Sequence, residues 1–185
     1  MTKRVMILAT NGFEQSELMK PKEALEQAGV ETVVVSLEAG DIKGWNQKDW
    51  GKSVKVDKTV DQIDAIDDYD ALQLPGGQMN PDILRMNEKA IGIVRKFAAA
   101  GKPIAAICHA PWLLAEADLV RGKTVTSWPS IRTDLKNAGA NVVDQEVAED
   151  GIFITSRKPD DIPAFNRALL GKLGLSVKEG TLESA

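Results

Sequence analysis

The stretch GKPIAAICHAPWLL, residues 101–114, contains the only cysteine and the only histidine of the chain, Cys108 and His109, side by side. The residues before Cys108, from Pro103 to Ile107, form a short apolar run that is typical of a fully buried parallel strand. After it, Pro111 can occupy the first turn of a helix. We therefore expect Cys108 at a strand-to-helix turn, where a nucleophile elbow holds its reactive side chain.

Two interpretations of Cys108 are open, because free cysteine is most often a small buried core residue. A packing cysteine needs neither an adjacent histidine nor a following helix, so the pattern favours a reactive thiol. Unpaired N–H groups at a helix N-terminus stabilise an anion, and we therefore expect the pKa of Cys108 to be depressed. His109 is either its general base or a residue that lines the pocket.

The composition limits the classes of function. With 185 residues, 43% of them hydrophobic, we expect one domain over residues 1–175 and a loose tail over 176–185. A net charge of −4 gives no support for binding to nucleic acid or to anionic membranes. One cysteine and one histidine cannot build the usual zinc site, and the apolar run Val5 to Ala9 is too short for a signal peptide. We expect a cytoplasmic protein without metal or cofactor that acts on a small molecule or a protein.

Buried apolar runs alternate with helical patterns along the chain, which predicts an α/β fold with a mostly parallel sheet and helices on both faces. The predicted strands lie at residues 4–9, 31–37, 69–74, 103–107 and 123–127. A first helix is expected to open at Pro21 and to end at Gly29.

Two segments depart from this alternation. Residues 40–59 are glycine-rich and suggest a hairpin, whose Trp45 and Trp50 either cap the core edge or form an oligomer interface. Asp150-Gly151 predicts a second hairpin, between residues 141–149 and 152–156.

Four features follow predicted strand ends, and the carboxyl ends of parallel strands meet at one edge of a sheet. They are Glu14, the turn Gly76-Gly77, the pair Cys108-His109, and Trp128. We expect Cys108 to be the nucleophile, the N–H groups of the glycine turn and of the elbow to hold an oxyanion, and Trp128 to form a pocket wall. Glu14 is expected to be a protonated partner of the thiol, whereas Glu17 is expected to complement the helix dipole on a solvated face.

At these residues the sequence resembles the ThiJ/PfpI superfamily, and within it the PfpI intracellular protease-like branch. The resemblance covers about residues 3–172 and is carried by NGFEQSEL (11–18), LPGG (74–77), AAICHAP (105–111) and TSWPSI (126–131). It implies a flavodoxin-like three-layer α/β sandwich, a reactive Cys108 with Glu14 as its partner, and His109 as the neighbouring histidine.

The resemblance also implies assembly into dimers or hexamers with active sites close to subunit contacts. In protease-like relatives an acidic residue of a neighbouring subunit completes a Cys-His-acid triad, and the nearest match here is Asp82. The stretch before it, Gln78 to Pro81, is one residue longer than the family pattern, and aspartate is shorter than glutamate.

Our leading hypothesis is a stress-associated, cofactor-independent cysteine hydrolase that acts on reactive carbonyl compounds or glycated protein adducts, with glyoxalase or deglycase chemistry. A thiol beside an oxyanion hole suits attack on an aldehyde. Two alternatives use the same residues. One is an intracellular peptidase or amidase, and the other is a non-enzymatic sensor of oxidative stress, or chaperone, in which Cys108 is oxidised.

Overall fold

A seven-stranded sheet forms the centre of the computed structural model, which describes residues 1–177. Its strands are β1 (Arg4–Leu8), β3 (Glu31–Ser36), β6 (Lys58–Thr59), β7 (Ala71–Leu74), β8 (Ile104–Ile107), β11 (Ala148–Asp150) and β12 (Phe153–Ser156). Their order in the sheet is β11-β12-β8-β7-β1-β3-β6, and all neighbours are parallel except β11 and β12. The predicted mostly parallel sheet is confirmed.

Helices cover both faces of this sheet, because its strands are apolar on both sides. The helices are α1 (Gln15–Gln27), α2 (Met79–Leu84), α3 (Glu88–Ala99), α4 (Pro111–Glu116), α5 (Arg132–Asn137) and α6 (Ile162–Lys172). Val5 packs with Leu25 of α1 and Phe165 of α6, whereas the next residue, Met6, belongs to the core formed with α3, α4 and α5. This alternation along a strand produces the three-layer α/β sandwich, as predicted.

Both predicted hairpins are present, although the second is shorter than expected. β4 (Asp41–Asn46) and β5 (Asp49–Lys55) pair antiparallel, and with β2 (Phe13–Glu14) they form a separate small sheet. β11 and β12 pair antiparallel, and their turn is Gly151-Ile152, one position later than predicted. The predicted strand 141–149 is interrupted, because β10 (Asn141–Val142) pairs instead with β9 (Thr124–Val125) in a two-stranded parallel sheet.

The start of the first helix differs from the expectation. α1 begins at Gln15, and Pro21 lies inside it instead of opening it. Proline has no N–H group, so the C=O of Glu17, four residues earlier, loses its partner within the helix. The side-chain amide of Gln73 in β7 supplies the missing donor at 3.0 Å, which allows the helix to continue through Pro21.

Two further predictions concern the chain as a whole. From residue 178 onward the predicted loose tail lies outside the described residues. Among residues 1–177, no helix is both long enough and apolar enough to cross a membrane.

Candidate active site

Cys108 lies on a strained turn between β8 and α4, as the sequence predicts. Its φ is 66°, in the left-handed region that residues other than glycine rarely occupy, and its side chain is 6% exposed. The backbone N–H of Cys108 donates to the C=O of Ser156 at the end of β12 (2.9 Å), and its C=O accepts from the N–H of Trp128 (2.9 Å). Such strain costs about 1–3 kcal/mol and persists where the surroundings enforce it, as at nucleophile elbows.

The carboxyl group beside the thiol belongs to Glu17, which is completely buried. Its Oε1 accepts a hydrogen bond from the N–H of Gly76 (3.1 Å), and its Oε2 has no hydrogen-bonding partner among residues 1–177. Gly76 lies between the Glu17 carboxyl and Cys108 with no room for a side chain. A Cβ atom on it would lie 2.6 Å from Glu17 Oε1 and 2.7 Å from Cys108 Cβ. Glycine is therefore the residue that lets the carboxyl and the thiol meet.

The expectation that Glu14 is the partner of Cys108 is corrected by this geometry. Glu14 ends β2, where it is paired with Trp45 in the small sheet, and its half-buried carboxylate accepts from the Ser16 hydroxyl (3.2 Å). Because α1 begins at Gln15, Glu17 already lies inside its first turn, packed against the loop after β7. Glu14 acts on the site through its charge. Burial, reinforced by that charge, raises the pKa of Glu17 from 4.5 to about 8.

The expected depression of the Cys108 pKa is also wrong. Burial and the Glu17 carboxylate both raise the pKa of the thiol above its ordinary value. The N-terminus of α4 offers little compensation, because Pro111 has no N–H and the N–H of Trp112 already donates to the C=O of His109. At neutral pH the thiol and Glu17 therefore both retain their protons.

The backbone N–H groups of Gly77 and His109 lower the pKa of the thiol and so oppose its rise. Gly77 has a φ of 82°, and a Cβ atom on it would lie 2.5 Å from the C=O of Gly12. The predicted pair of oxyanion donors is thus divided, since the N–H of Gly76 is already bound to Glu17. The N–H of Gly77 lowers the pKa of both the Glu17 carboxyl and the thiol.

His109 is placed to exchange a proton with the thiol. Its Nδ1 lies 3.2 Å from Cys108 Sγ, although the two residues are adjacent in sequence. Burial lowers the pKa of His109 below its ordinary value of 6.5, so the ring is neutral at pH 7 and Nδ1 can accept a proton. The structure thus offers His109 as a base within hydrogen-bonding distance.

Aromatic side chains hold the His109 ring from two sides. Trp128 stacks on it with ring centroids 5.8 Å apart, and Trp112 meets it edge-on at 5.3 Å. Trp112 is itself fixed by a hydrogen bond from its Nε1 to Asp134 (2.9 Å) and by the guanidinium of Arg85 over its ring. Trp128 is 37% exposed, and its role as a pocket wall stays a prediction.

Asp82 is not brought to this site within one chain. It lies on the exposed surface of α2, and it makes no hydrogen bond or ion pair to His109 in the described residues. Its predicted action across a subunit boundary stays a prediction.

Three buried polar residues contribute to the site without a clear signal in the sequence. Glu17 reads as a solvated helix residue until the start of α1 is known. Gln73 interrupts an apolar strand, which is the one hint the sequence offers. Asn80 is fully buried and links two loops, because its Oδ1 accepts from Thr10 N–H (2.8 Å) and its Nδ2 donates to the C=O groups of Pro75 and Gly76.

Comparison with known proteins identifies relatives over nearly the whole chain. Protein/nucleic acid deglycase 2 of Escherichia coli (strain K12) is 43% identical over 176 residues, which cover 94% of this chain and 99% of that protein. Deglycase PfpI of Pyrococcus furiosus is 43% identical over 164 residues, covering 89% and 95% of the two chains. The crystal structure of Drosophila melanogaster DJ-1beta superposes with a TM-score of 0.84 at 30% identity and covers 99% of this chain and 95% of its own.

The model of the DJ-1/PfpI family matches residues 3–172, which include the elbow, Glu17 and the glycine turn. The chain therefore belongs to the DJ-1/PfpI family.

Proposed function

We propose that this protein is a stress-associated, cofactor-independent cysteine hydrolase of glyoxalase or deglycase type, acting on reactive carbonyl compounds or glycated protein adducts. The observation that carries the proposal is Cys108 on its left-handed elbow, with His109 Nδ1 3.2 Å from the sulfur and the buried Glu17 carboxyl against it. The names of two relatives, both deglycases at 43% identity, support an enzyme of this class.

The first step follows from the protonation states. As Sγ of Cys108 forms a bond to the aldehyde carbon, its proton passes to His109 Nδ1, which is neutral and in contact. The electron pair of the C=O bond moves to oxygen, and the N–H of Gly77 stabilises the resulting charge. Glu17, which holds a proton up to about pH 8, protonates this oxygen and gives the hemithioacetal.

The remaining steps return every proton. Glu17, now a carboxylate, removes the proton from the former aldehyde carbon, and the protonated His109 donates to the neighbouring ketone oxygen. Glu17 then delivers its proton to the second carbon while His109 takes the proton of the first hydroxyl, which leaves a thioester on Cys108. In the hydrolysis of this thioester, Glu17 takes one proton from the attacking water while the protonated His109 gives its proton to the departing sulfur of Cys108. All three groups regain their starting states, and methylglyoxal plus water becomes lactic acid without an external oxidant or reductant.

The test compares methylglyoxal with an unfolded peptide as substrates of the wild type, with Cys108→Ser as the matched control. We expect lactate from methylglyoxal with the wild type, and a loss of about a thousandfold or more in the control, whose fold is checked by circular dichroism. Peptide cleavage without lactate would instead establish the peptidase alternative. Oxidation of Cys108 without turnover of either substrate would establish the sensor.

The peptidase alternative depends on a second chain. Among residues 1–177 no carboxyl group hydrogen-bonds to His109, and a peptidase triad requires such a group to orient the imidazole. Asp82 of another copy is the candidate. Carbonyl chemistry needs no such group from a second chain and is therefore better supported than peptide hydrolysis.

We also propose that the protein works as a homo-oligomer, a dimer or a hexamer. Support comes from exposed apolar side chains at helical spacing beside Asp82, namely Met79 (36% exposed), Ile83 (37%) and Met86 (76%). If Asp82 acts across a subunit boundary in peptide cleavage, a Cys108→Ser chain mixed with an Asp82→Ala chain should cleave peptide, although neither chain does so alone. Light scattering that gives a monomer at micromolar concentration would contradict the assembly.

A further inference from the structure

The main chain at Glu17 has a hydrogen-bonding defect. In an α-helix the N–H of each residue donates to the C=O four residues before it, and Pro21 has no N–H to donate to Glu17. Both residues are buried, so water does not replace the missing partner freely. The C=O of Glu17 therefore needs a hydrogen-bond donor from outside the helix.

Gln73 fills this need from the neighbouring strand. Its Nε2 donates to the C=O of Glu17 at 3.0 Å, and its side chain is completely buried. The residue lies within β7, in register with Ile7 of β1 and Ala105 of β8, where apolar side chains would pack as well. Its Oε1 has no hydrogen-bonding partner in the described part of the chain, and burying such an oxygen costs free energy. The hydrogen bond from Nε2 to Glu17 is therefore the interaction that the amide provides.

This hydrogen bond acts on the geometry of the site. Gln73 stands three residues before Gly76, whose N–H holds the Glu17 carboxyl. Glu17 is therefore attached to the same strand and its loop at two points, through its main chain by Gln73 and through its side chain by Gly76. We infer that Gln73 is a positioning residue that replaces the helix N–H missing at Pro21 and thereby holds the Glu17 carboxyl against Cys108.

The chain allows a direct test, because the missing donor can be put back. Gln73→Met keeps a similar volume and removes the donor, whereas Pro21→Ala restores an N–H four residues after Glu17. The two single variants, the double variant and the wild type are compared. Gln27→Met is the matched control, since Gln27 lies on the same helix and its amide donates only to Glu23 on the surface.

Two readouts separate positioning from general stability. One is the pH dependence of Cys108 alkylation by iodoacetamide, which needs no turnover. The other is kcat and KM for methylglyoxal, and only this second readout rests on the proposed function. If the wild type does not convert methylglyoxal, the alkylation profile still decides whether Gln73 positions Glu17.

In Gln73→Met we expect the alkylation midpoint to fall by about one pH unit, because the Glu17 carboxylate that raises the thiol pKa is no longer held against it. Turnover should fall about tenfold, chiefly in kcat, since the same carboxyl moves the protons. The double variant should recover both values, and Gln27→Met should resemble the wild type.

The inference is overturned if folded Gln73→Met keeps the wild-type alkylation profile, or if the folded double variant behaves like Gln73→Met. Should Gln73→Met fail to fold, recovery of folding by Pro21→Ala supports the inference, and no recovery overturns it.

Discussion

Replacing Glu17 with glutamine should make the protein more stable, and increasingly so as the pH rises. Glu17 holds its proton up to about pH 8 in the native state, whereas the same group ionises near 4.5 when exposed. Because the native state binds this proton more tightly, the wild type is not penalised below pH 4.5 and loses stability as the pH rises toward 8. Glutamine cannot ionise, and its Oε1 can still accept from Gly76.

The size of this stability penalty follows from the pKa shift of Glu17. Between 4.5 and about 8 each pH unit corresponds to about 1.4 kcal/mol, so the full penalty on the wild type approaches about 5 kcal/mol above pH 8. At pH 5 it is still below about 1 kcal/mol. The stability difference between Glu17→Gln and the wild type should therefore grow by about 4 kcal/mol from pH 5 to pH 9.

The assay is urea unfolding followed by circular dichroism at pH 5, 7 and 9. A constant offset caused by the new amide cancels when the two pH values are compared. Glu23→Gln is the control, because Glu23 is an exposed residue of the same helix whose carboxylate accepts from Gln27 on the surface. If the stability difference between Glu17→Gln and the wild type is the same at pH 5 and pH 9, Glu17 does not hold a proton with a raised pKa in the native state.

Three further substitutions test other parts of the site. His109→Phe keeps a ring between Trp112 and Trp128 but removes Nδ1, so kcat for methylglyoxal should fall about a hundredfold, and an unchanged kcat would exclude His109 as the base. Asn80→Ala removes three buried hydrogen bonds and should lower the free energy of unfolding by about 2–4 kcal/mol. The control Asn87→Ala removes one helix cap and should lower it by about 1 kcal/mol. Equal losses of the two variants in urea unfolding would contradict this ranking. Gly76→Ala places a Cβ atom between Glu17 and Cys108 and should abolish turnover, and a fully active variant would show that the two groups need not meet there.

The sequence predicts the architecture well, because its signals are local. The apolar run before Cys108 and Pro111 after it place the residue on a strand-to-helix turn, and the structure has this turn with a left-handed φ of 66°. Asp150-Gly151 likewise predicts the hairpin of β11 and β12, although the two turn residues are Gly151 and Ile152, one position later.

The choice between the two glutamates could not be made from local signals. Pro21 suggests a helix start, which leaves Glu14 and Glu17 on a turn just before the helix and makes the residue nearer the strand end the better candidate. The helix in fact begins six residues earlier, because Gln73, which is distant in sequence, satisfies the carbonyl that Pro21 leaves free. A long-range hydrogen bond therefore decides which carboxyl reaches the thiol.

The direction of the Cys108 pKa shift could not be predicted for a similar reason. A helix N-terminus lowers the pKa of a thiol, whereas burial and a neighbouring acid raise it. Only the folded structure shows which of these groups surround the sulfur. Here α4 is short and starts with proline, while Glu17 is completely buried beside the thiol. Burial and Glu17 therefore outweigh the helix N-terminus, and the pKa of Cys108 is raised.

The central claim, that Cys108 carries out covalent carbonyl chemistry, is tested most directly by quenching the enzyme with acid during turnover of methylglyoxal. Intact-mass spectrometry and peptide mapping then locate any bound acyl group. We predict a lactoyl group on Cys108 in the wild type, and neither this group nor lactate production in Cys108→Ser. Lactate formed at the wild-type rate by Cys108→Ser would contradict the claim.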